Sequence, residues 1–187
     1  MNTTVFERHN RDPASKGRVA AFALWNAFGR IINVHRRGVP VYDGWDRGVA
    51  PSNSARSSLL RELYATTIFV LSDVASDVLM QQSLLEYLDT LDSRVLFVGY
   101  GEPDEWAHAV RDDLYVRSAR NINSCLPQRW ARAQADPRIR NTTTMIIATD
   151  HGRGGGAEWT EPGSRERGRV HLDDSDRLRL ASPRDAC

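Results

Sequence analysis

The sequence predicts an α/β fold, a partial parallel sheet flanked by helices. Arg94-Val-Leu-Phe-Val-Gly99 is a continuous apolar run closed by glycine, the pattern of a strand covered on both faces. Thr142-Thr-Thr-Met-Ile-Ile-Ala-Thr149 is a second run that reads as a buried strand. The interval between them has helical character. Strand, helix, strand within about 55 residues is a βαβ unit, which sets its two strands parallel.

Earlier in the chain, Arg18-Val-Ala-Ala-Phe-Ala23 reads as a buried strand, and Trp25-Asn-Ala-Phe-Gly-Arg-Ile-Ile32 follows with helical spacing. Val39-Pro-Val-Tyr-Asp-Gly44 is a strand end or a loop, and Pro51 with the Ser52 to Ser57 stretch is loop punctuation. A long helical region opens at Leu59 and continues to about Leu91, interrupted, if anywhere, near Ser72-Asp73. Its Val74, Val78, Leu85 and Leu88 keep one apolar face at helical spacing.

Beyond Gly99 a polar segment containing Asp104 and His108 leads into a helix through about Ser124. Pro127 is expected to break that helix and start a short second one through Arg132. Trp106, Val110, Leu114, Ile122 and Leu126 form the expected core stripe, and Cys125 is expected to be buried and inert. His9 and His35 read as surface residues.

Residues 1–152 therefore form the expected α/β domain. Residues 153–187 balance arginines against acids, hold few large apolar side chains, and read as an irregular or disordered tail. Gly154-Gly-Gly156 lacks the preceding strand of a phosphate-cradling loop, so flexibility is its expected role.

Composition narrows the function. Among 187 residues, 25 Lys+Arg face 24 Asp+Glu, and the resulting charge of +1 gives no electrostatic footprint for nucleic acid or an anionic membrane. No apolar run approaches the ~18–20 residues of a bilayer span, and the first residues have no signal-peptide layout. As written, the chain would stay in the cytoplasm. Cys125 and Cys187 are too few for a disulfide framework or a thiolate metal cage.

Chemistry concentrates where the expected strands end. In an open α/β sheet, ligands bind at the carboxyl ends of the strands. Asp104-Glu-Trp-Ala-His108 follows one expected strand and Asp150-His151 the other. Asp104 and His108, four apart, share one face if their segment is helical. Alone, Asp-x-x-x-His is a weak signal that far more often means surface charge or a helix cap than a metal ligand pair. Carboxylate oxygen and imidazole nitrogen together suit zinc, manganese or iron. Such a metal polarises a phosphoryl oxygen and lowers the pKa of a bound water or hydroxyl. Glu102 and Glu105 are candidates to support those ligands by hydrogen bonding.

Val98-Gly-Tyr-Gly-Glu-Pro-Asp-Glu-Trp-Ala-His108, followed further along by Thr142-Thr-Thr-Met-Ile-Ile-Ala-Thr-Asp-His-Gly152, resembles the alkaline phosphatase superfamily. The nearest branch is its type I phosphodiesterase/nucleotide pyrophosphatase and sulfatase-like group. Arg18-Val-Ala-Ala-Phe-Ala-Leu-Trp-Asn26 and Arg37-Gly-Val-Pro-Val41 are similar to the family's preceding strand and loop, so the resemblance covers roughly Val5 to Thr160. It implies two divalent metals about 4 Å apart, zinc foremost, with manganese, magnesium or calcium as alternatives. It also implies a Ser or Thr nucleophile and a small phosphate- or sulfate-ester substrate. Asp104 and His108 would serve one metal, Asp150 and His151 the other.

The sequence departs from that pattern in three places. The family's first metal-binding Asp and its nucleophile would both fall upstream of Met1. Trp159-Thr-Glu-Pro-Gly163 places Pro162 where the family carries a last His, and His171 in the arginine-rich tail is a poor substitute. Back-translated with freely chosen codons and shifted by one base, residues 170–184 can read as an apolar strand and a turn. The expectation is a truncated chain, frameshifted near its end, that keeps half a metal site and does not turn over. The alternative is a structural or interaction remnant with no bound metal. Family members are often exported, which leaves the native location open.

Overall fold

The computed structural model describes residues 3–45, 48–68, 70–71 and 74–153. Its centre is a three-stranded parallel sheet. Strand β1 (Val19–Ala23) lies between β2 (Val41–Tyr42) and β3 (Val95–Gly99), in the order β2-β1-β3. Val19 pairs with Val95 and Ala23 with Gly99 across one edge, and Ala21 with Val41 across the other. Every residue of β1 is buried, as a central strand requires, and its three alanines keep both sheet faces low.

Side chains alternate across the strand and divide the core in two. Ala20, Phe22 and Leu24 point to one face, where Tyr42 stacks on Phe22 at 4.5 Å and Tyr87 meets it edge-on at 5.3 Å. Val19 and Ala21 point to the other, against Ile32, Val39 and Val41.

Three short helices cover the second face: α1 (Val5–Arg11), α2 (Phe28–Ile31) and α3 (Val34–Arg37). Phe6 of α1 and Phe28 of α2 both pack on Phe97 of β3. A capping box starts α1, with Thr4 Oγ1 accepting from Glu7 N and Glu7 Oε2 accepting from Thr4 N. The same carboxylate takes Arg36 Nε at 2.6 Å and Nη2 at 2.8 Å, tying α1 to α3. Hydrogen bonds from Arg36, then from Thr4, hold the Glu7 carboxyl at about 2.

The first face is covered by α5 (Asp77–Thr90), which carries Met80, Leu84 and Tyr87; α4 (Ala55–Thr66) packs on α5. Serines join these two helices. Ser52, Ser54 and Ser57 all donate to Glu86 Oε1, while Ser54 Oγ caps α4 by accepting from Ser57 N. Of the stretch expected as loop punctuation, residues 51–54 are non-helical, and Ala55 to Ser57 instead form the capped start of α4. After β3 come α6 (Glu102–His108) and α7 (Asp112–Ala135), packed on each other, with α7 also against α5. No described helix is long and apolar enough to cross a membrane.

The mixed α/β class and parallel sheet agree with the sequence, but the pairing differs. Residues 142–149, expected as a buried strand, carry no ladder, and Ile146 and Ile147 are 77% and 45% exposed. Among the described residues β3 has no partner on its outer edge. Leu96 and Val98 pack on one face and Val95 and Phe97 on the other, so β3 is covered on both faces as expected, but its side chains are only half-buried where β1 is fully buried. Parallelism comes from the β1–β3 and β1–β2 pairs, whose first members the β3-to-142 reading did not involve.

Three helix expectations also change. Pro127 lies inside an unbroken α7. It costs the Asn123 carbonyl its donor, while nearby carbonyls gain side-chain donors: Ser124 Oγ to Asn121 O at 2.7 Å and Gln128 Nε2 to Ser124 O at 3.2 Å. Val78 is 51% exposed, because the buried face of α5 runs through Met80, Gln81, Leu84 and Tyr87. Val110 leaves the core stripe, 65% exposed at φ 57° between α6 and α7, where Arg111 N closes the turn on Trp106 O. Cys125 is half-buried, not fully enclosed. The helical region of residues 59–91 does separate into two helices, but Ser72 and Asp73 lie outside the described residues, as do residues 154–187.

Candidate metal centre at the carboxyl end of the sheet

The connection from β1 to β2 runs through α2 and α3 on one face; that from β2 to β3 runs through α4 and α5, with α5 on the other. The adjacent strands β1 and β3 therefore flank a topological switch point, where open α/β sheets place their ligands at the carboxyl ends. Asn26, Asp43 and the Tyr100-Gly101-Glu102 turn follow the carboxyl ends of β1, β2 and β3.

Gly101 caps α6 at this end of β3. A Cβ there would lie 2.8 Å from Val74 Cγ1, so only glycine lets the turn pack against the chain entering α5. Val74 is itself bridged to Trp25, just past β1. From this anchored start α6 makes under two turns. Asp104 and His108 fall on one face, with Asp104 Oδ2 and His108 Nε2 3.4 Å apart.

The loop after residues 142–149 reaches the same place. His151 Nε2 lies 3.7 Å from Asp104 Oδ1 and 3.6 Å from Asp150 Oδ2. His151 Nδ1 lies 3.0 Å from the Gly152 carbonyl oxygen. The tautomer that donates there leaves Nε2 with its lone pair toward the two carboxylates, a disposition that needs a proton or a cation between them. The four residues expected from sequence thus meet, through Asp104 and His151. Asp104, His108 and His151 are 33–41% exposed and Asp150 is 89% exposed.

Donor chemistry fits a divalent ion. Two ligands of a tetrahedral ion with bonds near ~2.0–2.1 Å stand about 3.4 Å apart, the separation of Asp104 Oδ2 and His108 Nε2. The fit extends to pairs only, since among the described residues no three His, Cys, Asp or Glu side chains close on one point. Arg153, a residue sequence reasoning passed over, explains part of that. Its guanidinium, 14% exposed, binds Asp104 Oδ1 and places a positive charge beside both histidines. Its signal was its position directly after Asp-His-Gly, in the same loop as His151.

Two further groups, Asp77 buried and Tyr64 half-buried, carried no sequence signal. Asp77, the first residue of α5, accepts from Gly101 N at 3.0 Å and Glu102 N at 3.1 Å. Glu102 Oε1 accepts in return from Asp77 N at 2.9 Å, so Glu102 turns toward α5 rather than supporting a histidine. Burial, then the Glu102 charge, push the Asp77 carboxyl up to about 7 against the two amide bonds. Tyr64 is pushed up to about 12, chiefly by burial, with the Asp43 and Asp77 charges adding to it.

Compared with protein-family models, with curated proteins and with solved structures, the chain matches none.

Proposed function

We propose that this chain carries part of the metal site of a phosphoester or sulfate-ester hydrolase, in an alkaline phosphatase-like α/β core. The observation that supports the reading is the meeting of Asp104, His108, Asp150 and His151 at the carboxyl end of β3. These residues are far apart in sequence, and their motifs resemble that superfamily's ligand segments. Asp104 with His108, and Asp150 with His151, would hold divalent ions, zinc foremost. A bound ion there supplies charge to polarise a phosphoryl or sulfuryl oxygen. The segments that resemble the family include no nucleophile, and the reading proposed is an ion-binding half-site without turnover.

One observation favours a second reading, a structural or interaction protein with no metal: the Arg153 guanidinium already neutralises Asp104. Titration calorimetry with zinc chloride separates the two. The first reading expects zinc binding that Asp104→Ala abolishes, with no hydrolysis of an aryl phosphodiester. Absence of both zinc and manganese binding selects the second. Enzymatic hydrolysis that Asp150→Ala removes would overturn the assignment of an inactive half-site.

A further inference from the structure

The starts of α5 and α6 are held by each other. Each helix opens with amides that lack intrahelical acceptors. The Asp77 carboxylate takes two such amides, Gly101 N and Glu102 N, and the Glu102 carboxylate takes Asp77 N in exchange. The close approach of Gly101 to Val74 brings the two turns together. A helix of seven residues has little persistence of its own. Its direction is therefore set by what grips its first turn, and Asp104 and His108 lie two and six residues beyond the gripped Glu102.

We propose that Asp77 is a positioning residue whose reciprocal hydrogen bonds with the Gly101–Glu102 turn aim α6, and with it Asp104 and His108, at the Asp150-His151 loop. This rests on the reading of Asp104 and His108 as cation ligands.

The groups around Asp77 come from several elements: Glu102 at the start of α6 acts on Asp77, whose charge acts in turn on Tyr64 of α4 and Tyr100 of the turn after β3. Asp43, after β2, acts on Tyr64, and the Arg129 guanidinium of α7 lies over the Tyr100 ring. Burial and the neighbouring Glu102 charge raise the Asp77 carboxyl toward neutrality. The amides that donate to Asp77 report its ionisation directly.

The test uses the 187-residue chain, zinc chloride as probe, and amide NMR from about pH 5 to about pH 9. In the wild type, the Gly101 and Glu102 amide shifts move together with one midpoint well above the ordinary carboxylate range. Asp77→Asn abolishes that movement, and Glu102→Gln lowers its midpoint by removing the like charge. Asp77→Ala weakens zinc binding about tenfold, as loss of a group supporting a metal ligand does, while Asp77→Asn, which keeps one acceptor, recovers part of it. Gly101 and Glu102 amide shifts that Asp77→Ala leaves unchanged overturn the clamp, whether or not zinc binds. Titrating amides with zinc affinity unchanged in Asp77→Ala overturn the positioning role. If wild type and Asp104→Ala both fail to bind zinc, the ligand reading falls separately, and with it the role assigned to Asp77.

Discussion

Asp77→Asn changes the stability of this protein in opposite directions at the two ends of the accessible pH range. The substitution removes the buried charge and keeps the side chain's shape. In the folded chain the Asp77 carboxyl titrates at about 7 against 3.8 for the free group. At ~1.4 kcal/mol per pH unit, the ionised carboxylate costs the fold on the order of 4 kcal/mol above neutrality. The folded state binds this proton more tightly than the unfolded chain. Its contribution is therefore fully present below about pH 4, declines as pH rises, and is gone above about pH 7.

Asparagine escapes that decline but gives up one of the two amide bonds, at about 1–2 kcal/mol. The variant is then less stable than wild type by roughly 1 kcal/mol near pH 4 and more stable by roughly 2–3 kcal/mol near pH 8. Urea unfolding of both proteins across this range, followed by far-ultraviolet circular dichroism, yields the difference between the two stability curves. A difference that does not vary with pH refutes the reasoning. So does one of opposite slope, which would mean that the two amide bonds outweigh burial and the Glu102 charge.

Two more predictions follow from the site and its surroundings. Arg153→Ala removes the cation held on Asp104; zinc affinity measured by calorimetry rises several-fold if the metal reading holds, and stays absent if the arginine is the permanent partner of an unmetallated Asp104. Val110→Gly relieves a branched residue at φ 57° on the surface, so thermal unfolding shows a gain of about 1 kcal/mol.

Much of the fold was legible where one local pattern dominated. The run from Arg18 to Ala23 and the run from Arg94 to Gly99 became adjacent parallel strands, because unbroken apolar stretches have few stable places outside a sheet interior. The i, i+4 spacing of Asp104 and His108 translated directly into a shared helix face. The Thr4-x-x-Glu7 capping box was also present to be read. Residues 142–149 misled because an apolar run specifies only that it suits a strand; whether it becomes one depends on a neighbour with free backbone groups within reach.

The sequence by itself determined the class of the protein, the chemical types gathered at the strand ends, and the helical spacing that pairs Asp104 with His108, since each depends on residues close together in the chain. Tertiary structure alone decided that β1 and not β3 lies at the centre, that Asp77 and Glu102 exchange hydrogen bonds from 25 residues apart, and that Arg153 settles on Asp104. Those outcomes depend on which distant surfaces meet and exclude water. Burial and long-range charge then set the protonation of Asp77, and no local pattern encodes either.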